Sequence, residues 1–542
     1  MRSLIMQENT SPAKIKKWMS ISNVAFLLVV TALIGQLLGL LRTKLVNANF
    51  EATGPGSTDA YFAAFTIPDF FFYTLAAGVL GVAFIPVLAD RLQKGERKAV
   101  WELSSSLLNL LSIVMLVVAA VIFIFAEPLM QMVSGHRFTA EQLDNAVTIM
   151  RFLSLNPLFF TISGLLSSVQ QTLGRFFFFA IAPLFYNLSI IVSIYIFQGT
   201  EVGIKGLGIG AFVGGLLQLA VVCIGLAGTK FRWHPKILWR KSDFKTVMHQ
   251  LPPRALDQGV DQVQTIIETN FARRLGEGNI SYYNNAYILQ SAPILLIGSA
   301  IGTATFPRLA QRLSQGRSDL FRSDFLKILR FTMWITVPVV IVAFFARGYL
   351  ARLIFTKDAP EIALIFGFLT AAIFFRIIYA IISRWFYAQK DTKTPLVVSL
   401  FTIVISFVLT MMWARTDSYG IAGLALAVSA AAFFEVTVLW AIMLIRDHGL
   451  FNKEFWLACW RIVSVSGFTL FAGYLIVQFF PLESADTGVI TLGSKLAIIA
   501  GTILVTHIGI SGLFGLVESR PVFNWLKRII LWPVIKRPFS GS

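Results

Sequence analysis

Fourteen apolar runs punctuate this chain, at 19–48, 58–90, 102–126, 146–172, 177–198, 203–228, 251–274, 280–311, 328–347, 360–387, 395–414, 419–445, 455–480 and 490–516. A helix needs about 20 mostly apolar residues to cross a bilayer, and nearly every run reaches that length. The pattern predicts an all-α polytopic membrane protein with fourteen transmembrane helices. The polar stretches between runs test that count. With the N-terminus inside, the even-numbered connections hold Arg91, Lys94, Arg97 and Lys98, then Arg175, then the stretch Lys230 to Lys245. They continue with Arg308 to Arg330, Lys390 with Lys393, Arg446 with Lys453, and the tail. By this threading about thirty Lys/Arg fall inside and fewer than about ten outside, as the positive-inside rule requires. An odd number of spans would scramble the alternation.

Part of the pattern is written twice. At a constant offset of 221 residues, Asn49-Phe50 returns as Asn270-Phe271 and Tyr61-Phe62 as Tyr282-Tyr283. Gly81-x-Ala83-x-x-Pro86-x-Leu88-Ala89-x-Arg91-Leu92-x-x-Gly95 returns as Gly302-x-Ala304-x-x-Pro307-x-Leu309-Ala310-x-Arg312-Leu313-x-x-Gly316. Gly203-Ile204-x-Gly206-Leu207, opening span 6, returns as Gly420-Ile421-x-Gly423-Leu424, opening span 12. Chance resemblance between glycine-rich helix starts would explain the last match alone, but not the ungapped first one. Six spans per copy is an even number, so both copies enter the membrane the same way round, as two parallel six-helix repeats. The expected organisation is a cytoplasmic N-terminus (1–18), a six-helix bundle (19–228), a cytoplasmic interfacial linker (229–250), a second six-helix bundle (251–446), transmembrane helices 13 and 14 (447–517) and a basic cytoplasmic tail (518–542). Transporters commonly bind cargo in the cleft between such repeats.

Composition narrows the class. Of 542 residues, 56% are hydrophobic and 14% charged, and mean hydropathy is +0.73. The net charge of +18 lies in short segments between apolar runs, so it marks topology rather than a nucleic-acid partner. Cys223 and Cys459 sit far apart in apolar runs, and the five histidines have no ligand spacing. Neither a disulfide framework, a metal site nor a cofactor is expected. Lys14, Lys16 and Lys17 precede a first run too long for a signal peptide and closed by no small-residue cleavage site, so it reads as a retained span.

Span 7 is the least membrane-like. Arg254, Asp257, Asp261, Gln264 and Glu268 step by three and four along one helix face. The stripe rises about 21 Å, most of a roughly 30 Å hydrocarbon core. A charge facing lipid at mid-depth costs at least about 2.5 kcal/mol, so this face looks into protein or water. Structural ion pairs between bundles would meet that demand; so would a hydrated cavity. Pro252-Pro253 removes helical hydrogen bonds at the inner end and permits bending there.

Two other spans are expected to face span 7. In span 1, Gly35, Gly39 and Arg42 share a face; in span 2, Asp59, Phe62, Thr66, Asp69 and Tyr73 do, with Pro68 as a kink. Arg42 either pairs with Asp59 or Asp69, or docks an anionic group, since guanidinium binds phosphate oxygens bidentately. Arg376 and Glu435 are lone intramembrane charges that can pair with each other. The basic, Trp-containing stretches Lys230–Lys245 and Arg520–Lys536 read as helices on the anionic inner leaflet, or as plain topology anchors.

Thr58-Asp59-Ala60-Tyr61 with Ala83-Phe84-Ile85-Pro86-Val87-Leu88-Ala89 resembles the second helix of the MurJ/MviN family of lipid II flippases. Leu38-Gly39-Leu40-Leu41-Arg42 is similar to the end of that family's first helix. Two further segments match, Gly174-Arg175-Phe176 through Ala180, Pro183 and Asn187, and Phe386-Tyr387-Ala388-x-x-Asp391-Thr392-Lys393-Thr394-Pro395. The resemblance covers spans 1–12, and the family also has fourteen spans. It implies the multidrug/oligosaccharidyl-lipid/polysaccharide exporter superfamily, with outward flipping of an undecaprenyl-diphosphate-linked peptidoglycan precursor by alternating access. It further implies a lipid-tail groove made by the two extra helices, and a cycle driven by membrane potential or ions. The chain departs from the pattern at Gln36 and Phe72, where the family carries arginine, and near Tyr287-Ile288, where it carries an Asp-Arg pair. Of the familiar cavity charges only Arg42 and Asp59 remain, span 7 is unusually charged, and span 11 lacks acids that would complete a sodium site.

Three function classes follow. The leading one is a flippase in the bacterial plasma membrane, both termini cytoplasmic, serving peptidoglycan biosynthesis and cell shape. Its partners are a lipid-linked anionic precursor, membrane lipids and other cell-wall synthesis proteins. The second class is an exporter of another lipid-linked oligosaccharide or a multidrug/cation antiporter, although antiporters usually have twelve spans. The third, a membrane-embedded enzyme or a scaffold, lacks an outside loop long enough for a charged catalytic motif.

Overall fold

The computed structural model describes residues 21–77, 84–229, 231–355 and 357–524, with the side chains of 21–25 and 250–257 excepted. Residues 1–18, the tail beyond 524, and Gly81 and Ala83 of the repeated motif lie outside that description. The described residues are predominantly helical and contain no strand. In chain order the helices are α1 (Ile21–Asn49), α2 (Thr58–Phe72), α3 (Ile85–Gln93), α4 (Arg97–Ile124), α5 (Ala126–Ser134), α6 (Ala140–Leu153), α7 (Asn156–Thr172), α8 (Phe177–Phe197), α9 (Lys205–Gly225) and α10 (Ser242–Arg274). They continue as α11 (Asn279–Pro293), α12 (Ala300–Ser314), α13 (Ser318–Phe345), α14 (Arg347–Ile354), α15 (Ala359–Ala388), α16 (Lys393–Trp413), α17 (Gly420–Arg446), α18 (Lys453–Phe479) and α19 (Val489–Leu513).

Twelve helical stretches among the described residues are long and apolar enough to cross a membrane. Two of the fourteen expected spans fall outside that set. The runs 58–90 and 251–274 both contain residues outside the description. Apolar side chains such as Leu37, Ile124, Val404, Phe471 and Val505 stand exposed along the other helices, as expected where the surrounding solvent is lipid.

The repeat recurs in the backbone. Shifting α2 by 221 residues gives the limits of α11, and shifting α4 by 221 gives those of α13. A π-helical turn follows α2 at Tyr73–Ala77 and follows α11 at Ile294–Ser299, at the same offset. Such turns insert one extra residue into a helix and often mark functional sites. The short helices α5 and α14 are another matched pair. The doubled Gly-Ile-x-Gly-Leu motif also gains a cause. A Cβ on Gly206 would lie 2.2 Å from the Phe197 ring, and one on Gly423 would lie 2.0 Å from the Trp413 carbonyl oxygen. Each glycine lets a helix start pack onto the last residue of the helix before it.

Three expectations need correction. The run 146–172 is two helices, broken at Ser154–Leu155 ahead of Pro157, whose ring and missing N–H suit a helix start and not its interior. Residues 231–241 form no interfacial helix. They run as an irregular strap over α4, with Asn109 donating to the His234 carbonyl (2.7 Å) and Trp233 Nε1 donating to Asn109 Oδ1 (2.8 Å). Helix starts instead at Ser242, inside the expected linker, and runs unbroken through span 7 for 33 residues.

Three buried clusters locate the packing. One contains Val46, Tyr61, Met150 and Ile190 from the first half together with Ala272, Tyr283, Phe366 and Leu424 from the second. The other two stay apart from each other. Phe84, Leu88, Trp101 and Leu165 pack with Phe244 and Val247 of early α10, whereas Leu309, Phe325, Trp385 and Phe455 form a separate core. The halves thus share one core at the end carrying the 49–58 connection and keep separate cores at the opposite end. Helices α18 and α19 pack on each other and on α13 and α14. Trp334 Nε1 donates to Ser511 Oγ (2.8 Å), and His507 bridges Thr469 and the Trp334 carbonyl (3.2 and 3.1 Å).

Candidate functional site

Between the halves lies a cavity of about 430 Å³. Helix α1 contributes Arg42, α2 contributes Phe62, Thr66 and Asp69, and the first π turn contributes Tyr73. From the second half come Thr265, Glu268 and Thr269 of α10, and Tyr283, Tyr287 and Ser291 of α11. Arg42 makes no ion pair within 4.0 Å among the described residues; its charge acts on Asp69, Tyr61 and Tyr186 across the cavity. A cation whose donors are free in a partly enclosed space is suited to an anionic guest.

Above the cavity, at the 49–58 end, a polar latch joins the halves. Asn47 and Asn285 exchange amide hydrogen bonds, at 3.2 Å one way and 2.9 Å the other. The Asp59 carboxylate accepts from Gly278 N, Ser281 N and Ser281 Oγ, each at 2.8 Å, and from Arg273 Nη1 at 3.4 Å. It therefore caps the N-terminus of α11, where free amide donors and the helix dipole favour an anion. Arg273 also donates to Gln142 Oε1 (2.7 Å) and the Arg137 carbonyl (3.0 Å), and lies over the Phe138 ring. Gln142 reaches Glu277, which accepts from Gly54 N (2.9 Å). Lys44 bonds the Leu353 carbonyl (3.1 Å), and Lys357 pairs with Glu51 (2.6 Å).

This placement sorts the sequence-derived residues. Arg42, Asp69 and Glu268 line the cavity together. Asp59 does not: it is fully buried one turn or more beyond Thr66, in the latch. The stripe that carries Asp69 into the cavity runs past its roof, where the two halves touch. Arg42 therefore pairs with neither acid, and Asp59 has Arg273 instead.

Helix α10 also turns differently from expectation. Its cavity face is Gln262, Thr265, Thr269 and Ala272, with Glu268 at the edge. Gln264 is buried and donates to Glu268 Oε1 (2.7 Å), and Asp261 is outside the cavity lining. The acids turn toward the second half, where the charge of Arg376 acts on both Asp261 and Glu268. Arg376 itself pairs with Glu435 at 3.7 Å, and Ser399 donates to Glu435 at 2.6 Å. Arg254 and Asp257 lie on α10, but their side chains are outside the described residues.

The latch partners Asn47, Arg273, Ser281 and Asn285 escaped the sequence reading. The available signal was amides and hydroxyls inside apolar runs, at positions that must be satisfied across a helix pair. Among the described residues no group of three or more His, Cys, Asp or Glu could hold a metal ion.

The family model described as "Lipid II flippase MurJ" matches residues 54–498. A probable lipid II flippase MurJ of Borreliella burgdorferi is 24% identical over 469 residues, covering 85% of this chain and 90% of that protein. The lipid II flippase MurJ of Burkholderia cenocepacia is 26% identical over 437 residues, covering 78% and 83%. A solved lipid II flippase MurJ in an inward closed conformation superposes with a TM-score of 0.73 at 22% identity, covering 90% of this chain and 98% of that one. An inward-facing multidrug-resistance transporter of the MATE family superposes less closely, at 0.66 and 15% identity. With its repeated helices, its polar cavity between halves and a family match over most of its length, the chain belongs to the lipid II flippase MurJ family.

Proposed function

We propose that this protein carries lipid II from the inner to the outer leaflet of the bacterial plasma membrane by alternating access. It is a multi-pass membrane transporter and not an enzyme. The observation that carries the reading is the unpaired Arg42 in a cavity sealed at one end and flanked by separate cores at the other. Both termini and residues 229–250 face the cytoplasm, by the distribution of basic residues. The 49–58 end is then the outer end, and the state described is closed to the outside. Residues 19–228 and 251–446 act as two bundles that rock about the cavity, and α18 and α19 attach to the second.

In this reading Arg42 holds the diphosphate of the incoming lipid, with Tyr73, Tyr287 and Thr265 as neutral hydrogen-bonding groups around it. Binding of the guest at Arg42 allows the latch to break, and the guest leaves outward as the separate cores close. Asp69 keeps the cavity from being so positive that the diphosphate cannot leave. Gln262, Thr265 and Thr269 give α10 its polar face toward the guest, with Glu268 at the edge. The test is growth of a bacterium depleted of its own flippase. The wild-type chain is expected to sustain growth, and Arg42→Ala, present in the membrane at equal level, is expected not to. Growth on Arg42→Ala would remove the assigned phosphate contact; failure of the wild-type chain would remove the cargo.

A further inference from the structure

Inside the first half, beside the central cavity, lies a second cavity of about 230 Å³. Phe160, Ser163, Gly164 and Ser167 line it from α7, stepping by three and four along one helix face. Helix α8 supplies Phe179 and Pro183, α9 supplies Gln218, and Phe72 at the end of α2 closes the space. Phe160 lines the central cavity as well, so the two spaces adjoin across that ring. Phe72 and Tyr186 meet the Phe160 ring edge to face at 5.5 and 5.2 Å, which makes the divide aromatic. The second cavity lies toward the cytoplasmic end, since Phe179 is in the first turn of α8 and Val222 in the last turn of α9.

Its polar groups are few and neutral. Ser163 is 2% exposed, yet its Oγ has no hydrogen-bond partner among the described residues. Its neighbours on α7 behave differently: Thr161, Ser168 and Thr172 each donate to a carbonyl one turn back, at 2.6, 3.0 and 2.9 Å. Pro183 has no N–H, so the Phe179 carbonyl receives no helical hydrogen bond from it. Gln218 adds an amide that can both donate and accept. Among the described residues no charged side chain lines the space. Buried hydroxyls are nearly always bonded, so Ser163 is left for a partner that the chain does not itself provide.

Aromatic faces with neutral donors and acceptors suit a sugar, whose ring has apolar C–H faces and hydroxyl edges. A diphosphate would find no cation here, and a prenyl tail would leave the Ser163 hydroxyl unbonded. We propose that this cavity binds the first sugar of the cargo, with the Phe160 ring dividing it from the diphosphate at Arg42. The inference rests on lipid II as cargo and adds the part of its head group that the first half recognises. Ser163 and Gln218 bond the polar edge of the sugar, while Phe72 and Phe160 cover its apolar face.

The test is native mass spectrometry of the purified full-length chain offered lipid II and undecaprenyl diphosphate, which share diphosphate and tail but not sugar. The wild-type chain is expected to retain lipid II in preference. Ser163→Ala with Gln218→Ala is expected to lower that preference about tenfold, with undecaprenyl diphosphate retention and thermal unfolding unchanged. A hydroxyl with a merely structural role would not separate the two lipids. Ser167→Leu, which narrows the cavity, is expected to act likewise, and Arg42→Ala to weaken both lipids together. Equal retention of the two lipids by the wild-type chain would overturn the proposal, as would an unchanged preference in both cavity variants. So would loss of both lipids from a normally folded Ser167→Leu protein, which would assign the cavity to the prenyl tail. A wild-type chain that retains neither lipid would remove the cargo reading itself, so the two failures are told apart.

Discussion

Asp59→Ala tests the latch most severely. The carboxylate receives three bonds of 2.8 Å from α11 and its preceding turn, plus the longer contact with Arg273. Removing one partner of a buried, hydrogen-bonded pair costs about 3–5 kcal/mol, much of it from the charge left behind. These bonds cross between the halves, so that cost falls on the latched state and not on the helices individually. At about 1.4 kcal/mol per tenfold, the balance should move toward the outward-open form by roughly two to three orders of magnitude. Ser281→Ala removes a hydroxyl but leaves both backbone donors, and should cost only about 1 kcal/mol. The assay is labelling of a cysteine at Thr66, within the cavity, by a membrane-impermeant thiol reagent applied from outside. Asp59→Ala should accelerate labelling at least tenfold, Ser281→Ala a few fold, and Asn47→Ala with Asn285→Ala by an intermediate factor. A well-folded Asp59→Ala protein that labels no faster than its parent would refute the latch.

Cysteines at Thr265 and Thr269 should react with small polar thiol reagents, and one at Ile266, packed against the shared core, should not; the reverse order would mean α10 is rotated from the described face. Gly423→Ala should lower the thermal midpoint and the yield of folded protein, because its methyl would enter the Trp413 carbonyl 2.0 Å away and overpacking costs about 1–3 kcal/mol. Arg376→Met should destabilise by about 3–5 kcal/mol by stranding Glu435, and adding Glu435→Leu should restore part of that loss, as measured by detergent unfolding of both variants.

The membrane class and the duplication were legible because both are written in local terms. Apolar runs report helices, and an ungapped match such as Gly302 to Gly316 against Gly81 to Gly95 reports a copied unit. The Gly206 and Gly423 motif was visible too, although its reason, contact with the end of the preceding helix, needed the packing. The site was half legible. Helical spacing put Phe62, Thr66, Asp69 and Tyr73 on one face, and that face does line the cavity. The same spacing cannot say where the cavity ends, so Asp59 looked like a cavity acid when it holds the roof. Nor could periodicity orient α10, whose Asp261 and Glu268 feel the charge of Arg376 while a quieter row of Thr and Gln lines the cavity. Arg273 and Asp59 are 214 residues apart in sequence, and no local signal joins them.

Proteoliposomes measure the movement of lipid II directly. The purified chain is reconstituted into vesicles with labelled lipid II confined to one leaflet, and its arrival in the other leaflet is followed with a membrane-impermeant reagent that modifies the sugar head. Vesicles with the wild-type chain should transfer lipid II well above the protein-free rate, Arg42→Ala vesicles should not, and ordinary phospholipid should stay where it was placed. Transfer at the protein-free rate by a correctly folded wild-type chain, across the full range of imposed membrane potential and ion gradients, would contradict lipid II transport by this chain.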